Sequence, residues 1–304
     1  MKLAVIVVNF NDEKDTLKYV KEITEYEVVD KIVVVDNKST NPDCFEKLET
    51  LRNEKVDVIQ SERNGGYSYG NNFGIKYLED KGLEFDYYAI SNPDIEISKE
   101  AIKKTIEFLN NNPNVGVAAP KMVNSKDKRI RRSAWKFRTF GRDVVYSSRI
   151  LELLFYKVLR NGEYSEADYE NDTLQVDCIS GAFFIIKKNV FHEITGFDEN
   201  VFLFYEEDIL AKRLQEKKYL IYSLNNISFK HYESQTIGKT LSYYKKIKEL
   251  YISKMYYHNT YTNINLIQIF IFKILRLIRI LELIIEIPVR KTSERIKKIW
   301  TLFI

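Results

Sequence analysis

The chain has 304 residues, 45% hydrophobic and 30% charged, enough for one large domain or two smaller ones with ordinary cores. Net charge is +4, but eight Lys/Arg against three Asp/Glu lie from Asn265 onward, which leaves the remainder at −1 and gives no support to nucleic-acid binding by the body of the chain. Two distant cysteines (Cys44, Cys178) and three scattered histidines (His192, His231, His258) argue against a secreted disulfide scaffold and a His-rich metal site.

Residues 3–8 form a continuous apolar, mostly β-branched run, which predicts a first strand covered on both faces. The run is too short for a signal-peptide core, and no small-residue cleavage site follows it. Residues 12–24 carry Leu17, Val20 and Ile23 at helical spacing. A second buried strand over 31–35 ends in the turn Asp36-Asn37-Lys38-Ser39. Residues 56–60 predict a third strand, 70–78 a helix, and 87–90 a fourth strand ending at Ser91-Asn92-Pro93-Asp94. Ser98 is placed to cap a helix over 99–110, whose apolar face is Ile102, Ile106 and Leu109, and 115–119 predict a further strand.

Strands alternating with helices predict a parallel α/β sheet. Ligands of such sheets bind beyond the carboxyl ends of the strands. Three polar clusters fall at those ends: Asn9-Phe10-Asn11, Asp36-Asn37 and Asn92-Pro93-Asp94. Plain structural turns place polar residues there too. After Pro120 the alternation stops. Residues 121–138 are basic, 142–160 predict an amphipathic helix, 161–172 an acidic loop, and 176–186 and 219–229 strands.

Three segments carry candidate chemistry. Residues 196–213 read GFDENVFLFYEEDILAKR, and there Glu206, Glu207 and Asp208 follow an apolar run and precede Ile209, Leu210 and Leu214. That pattern opens a helix at the rim of a core. A carboxylate held there can take a proton from a hydroxyl or hold a metal ion; its other use is a solvated first turn. In Asn92-Pro93-Asp94 the proline keeps Asn92 out of the helical region. An amide oxygen and a carboxylate two residues apart can then share Mg²⁺ or Mn²⁺. Residues 63–74, RNGGYSYGNNFG, are rich in glycine and amides, which lets backbone N–H groups approach a phosphate. The segment is neither G-x-G-x-x-G nor a P-loop, which argues against a dehydrogenase or an NTPase.

Taken in order, these segments resemble the inverting family 2 glycosyltransferases with a GT-A fold, particularly their rhamnosyltransferase-like branch. The matches are VIVVNFN (5–11), VVVDNKST (33–40), NGGYSYGNNFGI (64–75), SNPDI (91–95), SGAFFIIKKNVF (180–191), GFDENVFLFYEEDILAKRL (196–214) and FKHYESQT (229–236). The resemblance implies a glycosyltransferase domain over 1–240, with a nucleotide-binding half (1–120) and an acceptor half (121–240), a mostly parallel central sheet flanked by helices, and a C-terminal helical region over 241–304. It implies that Asp36 contacts the nucleoside, with the backbone near Asn9 beside the base. Asn64, Gly66, Asn71 and Asn72 would line the diphosphate pocket. Asn92 and Asp94 would stand in for the family's D-x-D and hold Mg²⁺ or Mn²⁺. Ser180, Gly181 and Ala182 would floor the sugar site. The family's general base lies in an E-D pair that falls on Glu206-Glu207; this chain reads Glu-Glu-Asp, so the base is Glu207 or Asp208, with Glu207 favoured. His231 stands where some members carry a third metal ligand, and beside Tyr232 it is equally a structural hydrogen-bond partner.

The implied activity is transfer, with inversion, from a UDP- or dTDP-sugar, dTDP-rhamnose among them, to a glycan or lipid-linked acceptor of a bacterial surface polysaccharide. Two other readings compete. A sugar-nucleotide nucleotidyltransferase would need a Gly-rich basic loop after the first strand, where Asn9-Phe10-Asn11-Asp12 has no glycine. The other is a non-catalytic carbohydrate-binding or scaffold protein.

Residues 265–287 read NLIQIFIFKILRLIRILELIIEI. Lys273, Arg276, Arg279, Glu282 and Glu286 recur every three or four residues on one half of a helix, together with Asn265 and Gln268. Five charges argue against a spanning helix and for one lying in the membrane surface. Pro288 is expected to end it. Arg290, Lys291, Arg295, Lys297 and Lys298 would then meet anionic lipid, with Trp300 and Phe303 at the interface. The expected location is the inner face of the cytoplasmic membrane. The alternative is a helix docked on the catalytic domain or on a second subunit of a homo-oligomer.

Overall fold

The computed structural model describes residues 1–155, 162–232 and 243–300, with side chains as far as Glu286. In chain order the elements are β1 (Leu3–Asn9), α1 (Glu13–Thr24), β2 (Lys31–Asp36), α2 (Asp43–Glu49), β3 (Val56–Gln60), α3 (Gly66–Asp80), β4 (Tyr87–Ser91), β5 (Ile95–Ile97), α4 (Lys99–Asn111), β6 (Val115–Val123) and β7 (Ala134–Trp135). They continue as α5 (Phe140–Val145), α6 (Arg149–Leu154), a 3₁₀ turn (Ala167–Tyr169), β8 (Thr173–Val176), β9 (Cys178–Ile179), β10 (Phe183–Lys187), α7 (Lys188–Glu193), α8 (Glu206–Glu216), β11 (Leu220–His231), α9 (Tyr243–Tyr261) and α10 (Leu266–Trp300). The chain divides into an α/β unit, Met1–Phe137 with Glu163–Ser253, and a helical unit, Arg138–Gly162 with Lys254–Ile304. The helical unit thus includes 138–162, a stretch that the sequence pattern alone groups with the acceptor half.

In the α/β unit the strand order is β3-β2-β1-β4-β10-β6-β11-β5, with β8 also on β11. Strands β3, β2, β1 and β4 run parallel to one another, as do β11 and β6. β10 lies between β4 and β6 and is antiparallel to both. The sheet is therefore mixed, and the reason lies in β10's entry point. Its first residue, Phe183, pairs with Ser91, the last of β4, so from there the chain can only run back. This reversal sets Ser180, Gly181 and Ala182 beside the carboxyl end of β4.

Both faces of the sheet are covered, which accounts for the unbroken apolar runs. Val5, Val7, Ile32 and Val34 pack under α1, α2 and α4 with Val20, Ile23, Leu48, Ile102 and Leu109. Ile6, Val33 and Val35 pack on the other face under α3, α7 and α8 with Ile75, Leu78, Val190 and Leu214. Ser98 caps α4 as its sequence predicts, accepting the Ala101 amide at 3.2 Å. α3 begins at Gly66, and Gly70 lets it approach β1: a Cβ there would stand 2.7 Å from Val8 Cγ1.

The helical unit has a polar centre. Asp143 on α5 and His258 on α9 are both fully buried and meet at 2.8 Å. Lys254 donates to the Ser147 hydroxyl at 2.8 Å and to the Asp143 carbonyl at 3.2 Å, and Arg138 reaches Asp143 at 3.5 Å. Burial lowers Lys254 to about 8. Phe140 and Phe272 stack edge to face beside the cluster, ring centres 5.0 Å apart. The single helix predicted over 142–160 is broken: Ser148 caps α6 instead, accepting the Leu151 amide at 3.3 Å. Pro288 does not end α10, which runs on to Trp300. Proline removes one amide donor and crowds the carbonyl four residues back. Helix propagation from both sides adds one bond per residue, so one lost rung need not stop a ladder of this length.

Candidate active site

The site begins where β1 and β2 end. Asn9 is fully buried and donates to Asp36 Oδ1 at 3.1 Å, while its own oxygen accepts the Thr16 hydroxyl at 3.0 Å. Asp36, also fully buried, takes three further donors: the Ser39 hydroxyl, the Ser39 amide at 3.3 Å, and the exposed Gln60 side chain at 2.9 Å. Four donors occupy its four lone-pair positions. A nucleoside can therefore reach this carboxylate only by displacing one, and Gln60 is the partner on the surface.

The next residue links β2 to the glycine-rich segment. Asn37 donates to the Gly66 carbonyl at 2.9 Å and to Asn64 Oδ1 at 3.2 Å, and Asn64 accepts the Gly66 amide at 3.1 Å. Gly66 has φ +85°, and a Cβ there would lie 2.0 Å from the Phe202 carbonyl oxygen, so only glycine fits. Asn71 is fully buried; its amide donates to Tyr67 O at 3.0 Å and its oxygen has no hydrogen-bond partner among the described residues. Asn72 spends its polar atoms on the loop before α8: it donates to Phe197 O at 3.0 Å and to Glu199 at 2.8 Å, and accepts the Phe197 amide at 3.0 Å.

Tyr67 joins this segment to the acids. Its hydroxyl donates to the Gly181 carbonyl at 2.8 Å, and Glu207 Oε1 accepts the Gly181 amide at 3.1 Å. Burial first, then the Glu207 and Glu206 carboxylates, push the Tyr67 phenol well above its ordinary value, so it stays a neutral donor. Next along the chain, Ala182 accepts the Asn92 amide at 2.8 Å. Tyr67, Gly181, Glu207 and Asn92 thus lie at one edge of the sheet, beyond β4.

The three acids on α8 have different surroundings. Glu206 is buried. Asp208 is 1% exposed and accepts the Trp135 indole N–H at 3.0 Å and the Cys178 thiol at 3.8 Å. Glu207 is the half-buried member of the three and the one on Gly181. The turn that delivers them is strained: Phe204 and Tyr205, both non-glycine, have φ +70° and +68°. Such residues cost of order 1–3 kcal/mol each and cluster at functional sites. The loop is clamped by Asp198, which is 5% exposed and pairs with Arg213 at 3.1 Å.

Asp94 and His231 come together across the β5–β11 pairing. Ile95 is opposite His231, and Asp94 Oδ2 lies 3.1 Å from His231 Nε2. The other ring nitrogen of His231 is buried with no hydrogen-bond partner among the described residues. A carboxylate oxygen, an imidazole and the nearby Asn92 amide suit Mg²⁺ or Mn²⁺, with substrate oxygens completing the shell. Among the described residues, no group of three or more His, Cys, Asp and Glu is placed to hold a metal ion, so a metal held here would depend on the donor's oxygens. Sequence reasoning missed Trp135 and Gln60, and gave Tyr67 no role of its own although it lies in the glycine-rich segment singled out above. Trp135, one of only two tryptophans, carried a compositional signal; Gln60 carried none.

Comparison with known proteins bears on the family and the fold. A hexosyltransferase of low-salt glycan biosynthesis from Haloferax volcanii is 29% identical over 205 residues, 67% of this chain and 59% of that protein, so the chain spans less than two thirds of that relative's length. An N-acetylglucosaminyl-diphospho-decaprenol L-rhamnosyltransferase of Mycobacterium tuberculosis is 22% identical over 214 residues, 68% of each chain. Among solved structures, a mannosyltransferase of Pyrobaculum calidifontis in complex with GDP-Man and Mn²⁺ superposes with a TM-score of 0.51 at 16% identity, over 77% of this chain and 57% of that one. That likeness shows the fold, the GT-A architecture of glycosyltransferases. The sequence profile of glycosyl transferase family 2 matches residues 4–195. With most of the α/β unit inside that match, the chain belongs to glycosyl transferase family 2, and within it is similar to rhamnosyltransferases.

Proposed function

We propose that the protein transfers a sugar, with inversion, from a nucleoside-diphosphate donor to a hydroxyl of a glycan or lipid-linked acceptor, at the inner face of the cytoplasmic membrane. One observation carries the reading: of the three acids on α8, Glu207 alone is half-buried, and it sits on the Gly181 amide beside the carboxyl end of β4. The amide N–H orients the carboxylate at the end of β4, where it would accept the proton of the acceptor hydroxyl as that oxygen attacks the anomeric carbon. Asp208 suits the role less, because the Trp135 indole and Cys178 hold it at 1% exposure.

Asp94 and His231, with Asn92, would hold Mg²⁺ or Mn²⁺, whose charge would offset the negative charge gathering on the leaving diphosphate. Asn64, Gly66 and the start of α3 would receive the diphosphate at a helix N-terminus. Asp36 would read the nucleoside after Gln60 swings away. The relatives' names favour a hexosyl or rhamnosyl donor and an acceptor in glycan biosynthesis; dTDP and UDP are the carriers that the sequence resemblance implies. The test is release of free nucleoside diphosphate from a panel of UDP- and dTDP-sugars with Mn²⁺. Release from none of them, with or without lipid-linked acceptors, would remove the reading.

A further inference from the structure

Helix α10 turns one part of its polar stripe, Arg279, Glu282 and Glu286, inward, and leaves Lys273 and Arg276 exposed. Arg279 pairs with Glu282 at 2.7 Å and with Glu286 at 3.0 Å, and all three side chains are largely covered. Glu282 caps α6, accepting the Arg149 amide at 2.9 Å, the Ile150 amide at 3.2 Å and the Ser148 hydroxyl at 2.5 Å. Phe272 and Leu283 are buried on the same side. The opposite face is apolar and open. Leu266, Phe270, Leu277, Leu281 and Ile284 are 62–83% exposed and recur at helical spacing. On α6, the helix that Glu282 caps, Leu153 and Leu154 are 67% and 70% exposed. A continuous apolar face of this extent is foreign to a surface whose only solvent is water.

Charge decides what covers it. Lys273 and Arg276 are exposed on the flank of this face, while the acids Glu282 and Glu286 are turned to Arg279, and the sequence adds five Lys/Arg against one Glu over 288–300. A second copy of this face would set cation against cation, whereas an anionic lipid surface complements them. Among the described residues no helix is long and apolar enough to cross a membrane, so the face suits contact with a bilayer rather than passage through it. We propose that α10 and α6 form one membrane-docking platform, latched together by Glu282, that lies on an anionic bilayer with the apolar side chains of both helices in the lipid interface. This rests on the membrane location within the proposed function and is independent of the transfer chemistry.

The test uses the full chain with phosphatidylcholine vesicles, with and without phosphatidylglycerol. The full chain is expected to pellet with the anionic vesicles, and added salt should weaken that binding. Leu153→Asp with Leu154→Asp, and separately Leu277→Asp with Leu281→Asp, should each lower the partition coefficient at least ~10-fold. The same positions changed to Met should retain binding, which separates lost apolar contact from lost folding. Unchanged partitioning of the α6 Asp variant would overturn the platform. So would sedimentation velocity showing a lipid-free dimer that the Asp variants dissolve, since the face would then belong to a second copy. Donor turnover measured without lipid in the same variants reports on the proposed function alone, and full turnover beside lost vesicle binding would support the platform as a separate device.

Discussion

The two units place polar groups in opposite ways. In the α/β unit the interior of the sheet is apolar, and polar side chains gather at strand ends, where Asn9, Asp36, Asn37, Tyr67 and Glu207 bond to one another or to nearby backbone. In the helical unit Asp143, His258, Lys254 and the Arg279–Glu282–Glu286 stripe lie inside, and leucine and isoleucine face out. A polar network at the rim of an apolar core can meet a polar ligand. A polar network inside a bundle frees its outer face for an apolar surrounding. Under the two proposals made above, chemistry would belong to one unit and attachment to the other.

The largest effect should come from breaking the rim. Glu207→Gln is expected to lower transfer by ~100- to 10,000-fold while nucleotide-sugar affinity, read by calorimetry, stays within error. Near-normal turnover would shift the base to Asp208 and undo the distinction drawn between the two acids. Next, Asp94→Ala and His231→Ala should each weaken Mn²⁺-dependent donor binding by roughly tenfold or more and leave metal-free binding unchanged. Affinity unaltered with metal present would end the metal assignment.

Gly66→Ala sharpens the comparison from the backbone side. A Cβ 2.0 Å from the Phe202 carbonyl oxygen at φ +85° should cost the α/β unit about 1–3 kcal/mol in urea unfolding, with donor affinity falling as the start of α3 shifts. A stable variant with normal affinity would mean that this turn relaxes freely.

The smallest effect tests the helical unit. Burial alone would raise Glu282, but the Ser148 hydroxyl, the Arg149 and Ile150 amides and Arg279 outweigh it and hold the carboxyl at about 2, below its ordinary 4.5. Glu286 and Arg149 are the other charges nearby. Because the folded value is depressed, the contribution is full above pH ~4.5 and is lost as pH falls toward 2. Glu282→Gln should flatten that part of the stability profile, measured by circular dichroism melts between those limits. An unaltered slope would show that the latch carries no such energy.

Much of the α/β unit was legible because its signals are local. Apolar runs named β1 to β4, Ser98 named the start of α4, and the placement of Glu206, Glu207 and Asp208 after an apolar run named the first turn of α8. α2 and β5 were missed: each is short, and neither repeats a pattern long enough to read. The tail's periodicity was read correctly as one polar and one apolar face. Which face turned inward was not legible, since the partner, Ser148 at the start of α6, lies far off in sequence.

The sequence by itself determined the alternation of strands and helices, the polar strand ends, the family and the acidic first turn, because periodicity and turn chemistry act over a few residues. Only the tertiary structure decided that β10 runs back against β4, that Trp135 claims Asp208 while Gly181 holds Glu207, that Asp94 meets His231, and that α10 turns Arg279, Glu282 and Glu286 toward α6. Each of these is a bond between segments remote in the chain, formed because a buried polar group must find its partner wherever the packing brings one.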